Sequence, residues 1–170
     1  WLNANESPYA NEYDIDASNF NRYPSCQPSS VVESYAAYAG IDTSQLIVTR
    51  GADEGIELLI RTFCTPGKDN IVICPPTYGM YAISAETCDV GITTVPLKGD
   101  FSLDVEGVCA IDNANVIFIC APNNPTGTQV ARDDIRAVLN HFADSALVVV
   151  DEAYIEFDAD NTWANEIADY

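Results

Sequence analysis

The sequence predicts an α/β protein: a mainly parallel sheet with helices on both faces, incomplete at its C-terminal end. Three observations predict it. Short, continuously apolar runs such as Ile71–Cys74, Val116–Cys120 and Ala146–Val150 alternate with amphipathic stretches. A strand apolar along its whole length is buried on both sides, and helices that return the chain between such strands cover both faces of a parallel sheet. Polar motifs come directly after the strand-like runs, and ligands in such sheets bind beyond the carboxyl ends of the strands. Asn161–Tyr170 stops before any element that would close the sheet.

The elements follow in order. Residues 1–25 are polar and loop-like. Ser30 with Glu33 has the spacing of a capping box, opening a helix that ends at Gly40. Leu46–Thr49 reads as a strand. Asp53–Phe63 reads as a helix, because Ile56, Leu59, Ile60 and Phe63 fall on one stripe. Ile71–Cys74 is a second strand, followed by the turn Pro75–Pro76–Thr77 and a helix near Tyr78–Thr87. Ile92–Val95 is a third short strand, Val116–Cys120 a fourth and Ala146–Val150 a fifth. Between the last two, Ile135, Val138, Leu139 and Phe142 repeat the helical stripe.

The composition narrows the function classes. A chain of 170 residues with 48% apolar residues and 10% aromatics can bury one core. No apolar stretch approaches the ~20 residues of a membrane helix. Trp1–Asn5 is neither basic nor followed by an apolar run, so it is not a secretory leader. The chain starts without Met and reads as a segment of something longer. A net charge of −19, with Lys68 and Lys98 the only lysines, argues against a nucleic-acid partner. The six cysteines (26, 64, 74, 88, 109 and 120) lack C-x-x-C spacing and read as free thiols of a reducing, cytoplasmic compartment. His141, the single histidine, reads as a surface residue or a partner of a helix C-terminus, so no metal site is expected.

Four motifs carry chemistry. Asp151–Glu152–Ala153–Tyr154 closes the last apolar run. It can be a turn, or it can present a carboxylate and a phenol to one flat heterocycle. The carboxylate would face a ring nitrogen that must stay protonated and the phenol a ring oxygen that must stay ionised, as pyridoxal phosphate requires. Gly51–Ala52–Asp53–Glu54–Gly55 joins a strand to a helix. It can be an ordinary cap, or the amides of Ala52 and Asp53 can cradle a phosphate while the acidic side chains turn aside. Pro75–Pro76–Thr77–Tyr78–Gly79 places Tyr78 at the mouth of the sheet, as a core tyrosine or as a platform for a planar ring. In Asn123–Asn124–Pro125–Thr126–Gly127, proline bars Asn124 from the α region. The motif is then a generic turn, or it aims the Asn124 amide at a ring oxygen.

These motifs, with Leu2–Glu6 (LNANE), Asn21–Pro24 (NRYP), Arg50–Arg61 (RGADEGIELLIR), Cys74–Tyr81 (CPPTYGMY), Ala121–Gly127 (APNNPTG) and Val150–Phe157 (VDEAYIEF), resemble the histidinol-phosphate aminotransferases. That family lies in the class II branch of the fold-type-I enzymes that use pyridoxal 5'-phosphate. The resemblance runs from the first residue to about Phe157. It implies that 26–170 is part of a large cofactor-binding domain and that 1–25 is an arm at a homodimer interface. Ala52 and Asp53 would give amides to the cofactor phosphate and Tyr78 would stack on the ring. Asn124 and Tyr154 would bond the ring's 3′ oxygen, Asp151 would pair with the ring nitrogen, and Tyr23 would reach the neighbouring subunit's phosphate. Cis peptides are implied at Pro75–Pro76 and Asn124–Pro125.

The implied activity of the whole enzyme is transamination of L-histidinol phosphate with 2-oxoglutarate, giving imidazole acetol phosphate and glutamate in histidine biosynthesis. The chain departs from the family in one respect: the lysine that binds the cofactor covalently, in an S-K motif, is absent. Lys68 and Lys98 sit in turn contexts unsuited to that role, so no catalytic residue is expected within this segment. Two alternatives stand beside this reading. One is a related aminotransferase or decarboxylase acting on another amino acid; the other is a lysine-free, non-catalytic module that binds a phosphate ligand.

Overall fold

The computed structural model describes residues 5–170. Residues 1–4, which open the expected arm and carry most of its first motif, lie outside that range. The sheet has four strands, β1 (Asn70–Ile73), β2 (Gly91–Thr94), β3 (Val116–Cys120) and β4 (Leu147–Asp151), in the order β2-β1-β3-β4. Every pairing is parallel. Among the described residues five α-helices accompany them: α1 (Ser29–Ala39), α2 (Ala52–Phe63), α3 (Met80–Thr87), α4 (Val105–Cys109) and α5 (Arg132–Phe142).

The period-two alternation of the central strands divides the core into two layers. Val72 of β1 and Ile117 and Ile119 of β3 point to one face, where Val108 of α4 and Ile135, Val138 and Phe142 of α5 cover them. Ile71, Ile73, Val116 and Phe118 point to the other face, under Ile56 and Ile60 of α2 and Tyr81 and Ala85 of α3. β1 and β3 are buried along their whole length, whereas every residue of β4 is half-buried. The continuous apolar runs thus have the cause read from the sequence: both sides of each central strand meet a helix layer.

Three expectations fail. Leu46–Thr49 is not a strand. No neighbouring strand lies beside it among the described residues, and the Gln27 amide satisfies its backbone instead, accepting from Val48 N (2.8 Å) and donating to Val48 O (2.9 Å). Ser30 and Glu33 form no capping box, because α1 starts two residues earlier than that box requires, with Pro28 at the N-cap, which has no side-chain donor or acceptor. A capping box does form at Asp42 and Gln45, around the short 3-10 turn Thr43–Gln45. The third helix begins at Met80, which leaves Tyr78 in the preceding loop. α4 was not foreseen, since five residues give no periodicity to read; Asp104 caps it by accepting from Gly107 N. The stop of α1 at Gly40 is as expected: φ is +71°, and its N–H returns to Ala36 O.

Residues 5–28 form neither helix nor strand. Tyr9, Tyr13, Ile15, Phe20 and Tyr23 along this arm are all exposed.

Candidate cofactor site at the strand ends

In the order β2-β1-β3-β4, the chain leaves β1 in one direction and β3 in the other. α3 returns on one face of the sheet and α5 on the opposite face. Such a reversal opens a crevice beyond the carboxyl ends of the two central strands. The loops after β1 and β3 border it, and they hold Tyr78 and Asn124. Pro75–Pro76 and Asn124–Pro125 are cis, as expected, and so is Ala121–Pro122.

Asp151 is the last residue of β4, half-buried. Its Oδ1 accepts from Ala153 N (3.0 Å) and its Oδ2 from the Tyr81 hydroxyl (2.6 Å). Each carboxylate oxygen has a second lone pair, so a further donor can be accommodated. Tyr81 is fully buried and its ring stacks on Phe118 at 4.7 Å. Burial, then the nearby Asp151 carboxylate, pushes the Tyr81 phenol well above the usual tyrosine range, so at neutral pH it is a hydrogen-bond donor. Tyr81 is not among the residues singled out from the sequence. The available signal was its place three residues after Tyr78, on the buried side of a helix start, where a phenol needs a polar partner.

At the start of α2, Gly51 has φ +81°, a left-handed value that favours glycine. A Cβ there would meet nothing within 4 Å, so the requirement comes from the backbone and not from space. The amides of Ala52 and Asp53 open the helix, where N–H groups have no intrahelical acceptor. No side chain caps this end. The Asp53 carboxylate instead accepts from the Tyr78 hydroxyl (2.9 Å), and Glu54 takes Arg50 through Nε (3.0 Å) and Nη2 (2.7 Å). Both acidic side chains are therefore occupied away from the free amides. Partial burial and the Asp53 hydrogen bond push the Tyr78 phenol up to about 12. Tyr78 also meets Tyr81 edge-on at 5.7 Å.

Asn124 and Tyr154 line one cavity of about 340 Å³, together with Asn5 and Phe157. The Tyr154 hydroxyl accepts from Asn5 Nδ2 (3.0 Å), and the Asn124 side chain has no hydrogen-bond partner among the described residues. Ala52 and Asp151 line a second, larger groove of about 1130 Å³ that runs along the exposed side of β4. The structure thus joins Tyr78 to Asp53 and places Asn124 with Tyr154 and Ala52 with Asp151. It does not bring Tyr23 to any of them: Tyr23 stands fully exposed on the arm. Lys68 lies in the Thr65–Asp69 turn, and Lys98 N bonds Ser102 O in a surface loop.

This donor set fits a flat heterocycle carrying a phosphate. It offers free helix amides for an anion, an aromatic face, an unengaged amide beside a phenol, and a carboxylate with acceptor capacity left. All six cysteines are free, and among the described residues no cluster of His, Cys, Asp or Glu is arranged to hold a metal ion. Among the described residues, no helix is long and apolar enough to cross a membrane.

The sequence profile of the family described as aminotransferase class I and II matches residues 2–169. Histidinol-phosphate aminotransferase of Pseudoalteromonas atlantica is 66% identical over the whole of this chain, which corresponds to 46% of that protein. The enzyme of the same name from Yersinia enterocolitica is 56% identical, again over the whole chain and 46% of that protein. The crystal structure of histidinol-phosphate aminotransferase from Clostridium acetobutylicum superposes with a TM-score of 0.79 at 28% identity, covering 90% of this chain and 46% of that one. The chain therefore spans about half the length of the curated relatives it matches. Profile, whole-chain identity and superposed fold agree with the strand-end motifs: the chain belongs to the aminotransferase class I and II family.

Proposed function

We propose that this chain is the cofactor-binding part of a histidinol-phosphate aminotransferase, which exchanges an amino group between L-histidinol phosphate and 2-oxoglutarate. The observation that carries the reading is Asp151. It ends β4 beside the crevice, held by Tyr81 and the Ala153 amide, with acceptor capacity still free. The substrate assignment is supported by the names of the relatives, at 53–66% identity across the whole chain.

Pyridoxal phosphate, when bound, supplies the electron sink that eases proton loss at a substrate α-carbon. The residues of this chain bind and orient it. The Ala52 and Asp53 amides receive the phosphate at the positive end of the α2 dipole. Tyr78 covers one face of the ring, and its bond to Asp53 ties that cover to the phosphate cradle. Asn124 and Tyr154 donate to the ring oxygen and favour its ionised form. Asp151 holds a proton on the ring nitrogen, since an opposite charge within about 4–6 Å favours the charged state. Neither Lys68 nor Lys98 is placed to supply the anchoring amine, so that amine comes from sequence outside this chain.

The domain reading follows the same lines: 26–170 is part of the large domain, and 1–25 is an arm that packs on a second copy in a homodimer. The exposed Tyr9, Tyr13, Ile15, Phe20 and Tyr23 support it, because an arm without a core of its own needs an apolar partner. Tyr23 then reaches the partner's phosphate site. The free cysteines and acidic charge support a cytoplasmic enzyme with no nucleic-acid partner.

The test is turnover by the protein at its full natural length, loaded with pyridoxal phosphate. L-histidinol phosphate with 2-oxoglutarate should be the preferred pair. A preference for phenylalanine would move the assignment to a relative acting on aromatic amino acids, and binding without turnover of either would select a non-catalytic module.

A further inference from the structure

The Asn123 side chain, 4% exposed, is buried between the loop after β1 and the loop after β3. Its Oδ1 accepts from Thr77 Oγ1 (2.9 Å), and its Nδ2 donates to Pro76 O (2.9 Å) and to Thr126 Oγ1 (2.8 Å). Its backbone closes the turn on the other side, with the N–H donating to Thr128 O (2.9 Å) and the C=O accepting from Gly127 N (2.7 Å). Both amide protons and the carbonyl oxygen are therefore engaged. The bridge is placed unusually with respect to the site. On one side it ends on Thr77, the residue before Tyr78; on the other it starts from the residue before Asn124. The two loops leave paired strands and then diverge toward opposite faces of the sheet, so beyond the strand ends the ladder no longer sets the gap between them.

We infer that Asn123 is a positioning residue: its side chain fixes the separation of Tyr78 and Asn124, and so the slot that receives the cofactor ring. The inference rests on the functional reading above and goes beyond it, because Asn123 touches neither the phosphate cradle nor Asp151. Asparagine suits the position because it alone presents, in one short planar group, a donor pair for Pro76 O and Thr126 Oγ1 and an acceptor for Thr77. Aspartate, nearly the same in shape, puts an oxygen against the Pro76 carbonyl and replaces attraction by repulsion.

The experiment uses the protein at its full natural length in cofactor-free form, titrated separately with pyridoxal phosphate and with inorganic phosphate. The readouts are the two dissociation constants, the circular dichroism that the bound ring acquires from its fixed orientation, and the melting temperature. Asn123→Asp should weaken pyridoxal phosphate about tenfold or more, as expected for one hydrogen bond turned repulsive, and lower the induced dichroism. Its inorganic phosphate affinity should stay within about twofold of the parent, because the Ala52 and Asp53 amides are untouched. Thr77→Val should move the same readouts in the same direction by a smaller factor, and Thr77→Ser, which keeps the hydroxyl, should restore them. If Asn123→Asp does not fold, the Thr77 pair still decides the matter. Unchanged affinity and dichroism in Asn123→Asp or Thr77→Val overturn the inference. So does a parallel loss of both ligands and of melting temperature, which would make Asn123 a structural staple only. A parent protein that fails to bind pyridoxal phosphate overturns the functional reading as well, whereas a binding parent with unaffected variants overturns this inference alone.

Discussion

Tyr81 and Tyr78 make the strand-end site sensitive to alkali. Both phenols have raised pKa values, chiefly through burial and then through Asp151 for Tyr81 and Asp53 for Tyr78. A group whose folded pKa lies above its unfolded value contributes stability that is fully present below the unfolded value, here 10. The loss begins near pH 10 for both phenols, where the unfolded chain ionises; it is complete by about 12 for Tyr78 and continues to higher pH for Tyr81. This tyrosine contribution should therefore be constant from neutral pH to 10 and fall above it, on top of an earlier fall from about 9 set by Cys64, Cys74, Cys109 and Cys120, whose thiols burial also pushes up. Tyr81→Phe keeps the stack on Phe118 but removes the donor to Asp151. It should cost about 1–3 kcal/mol at neutral pH and make the alkaline fall shallower, as measured by urea denaturation across the pH range. An unchanged slope above pH 10 would contradict this account of Tyr81. At this scale the strand-end positions of Asp151, Tyr78 and Asn124 were legible in the sequence, because each closely follows or closes an apolar run. Tyr81 and Asn123 were not, because their importance lies in partners at separations of 70 and 46 residues.

At the scale of the element, legibility followed burial. The apolar runs of β1 and β3 and the stripe of α5 were read correctly because each buries a face against the sheet; the stripe of α2 holds at Ile56 and Ile60 but not at Phe63, which ends the helix exposed. Leu46–Thr49 has the composition of a strand but no strand beside it, and composition alone does not show whether a partner exists. The capping box was misplaced because the Ser30–Glu33 spacing does not say where the helix begins, and α1 begins at Ser29 on Pro28. α2 is the element on which the phosphate cradle depends. Ile60, with no exposed surface, pins it to the sheet beneath. Ile60→Ala should destabilise the protein by about 2–5 kcal/mol, measured by denaturant titration. A loss below about 1 kcal/mol would mean that α2 is held by something other than its buried stripe.

For the whole molecule, sheet order decides where a ligand can bind. A parallel sheet in the order β2-β1-β3-β4 has a single reversal between β1 and β3, and the loops there carry Tyr78, Asn123 and Asn124. The sequence predicts the parallel sheet and the strand-end position of the motifs, but not the strand order, which depends on contacts between distant segments. The half-buried residues of β4 and the groove beside them mark one edge that the helices leave partly uncovered; β2, with exposed and half-buried residues, marks the other. The central claim is that the strand ends hold pyridoxal phosphate. Its most direct test is a crystal structure of the protein grown with that cofactor. The account predicts the phosphate on the amides of Ala52 and Asp53, the ring beneath Tyr78, and the ring nitrogen within hydrogen-bond distance of Asp151. A cofactor bound with its ring nitrogen turned away from Asp151, or with its phosphate anywhere but the start of α2, would contradict it.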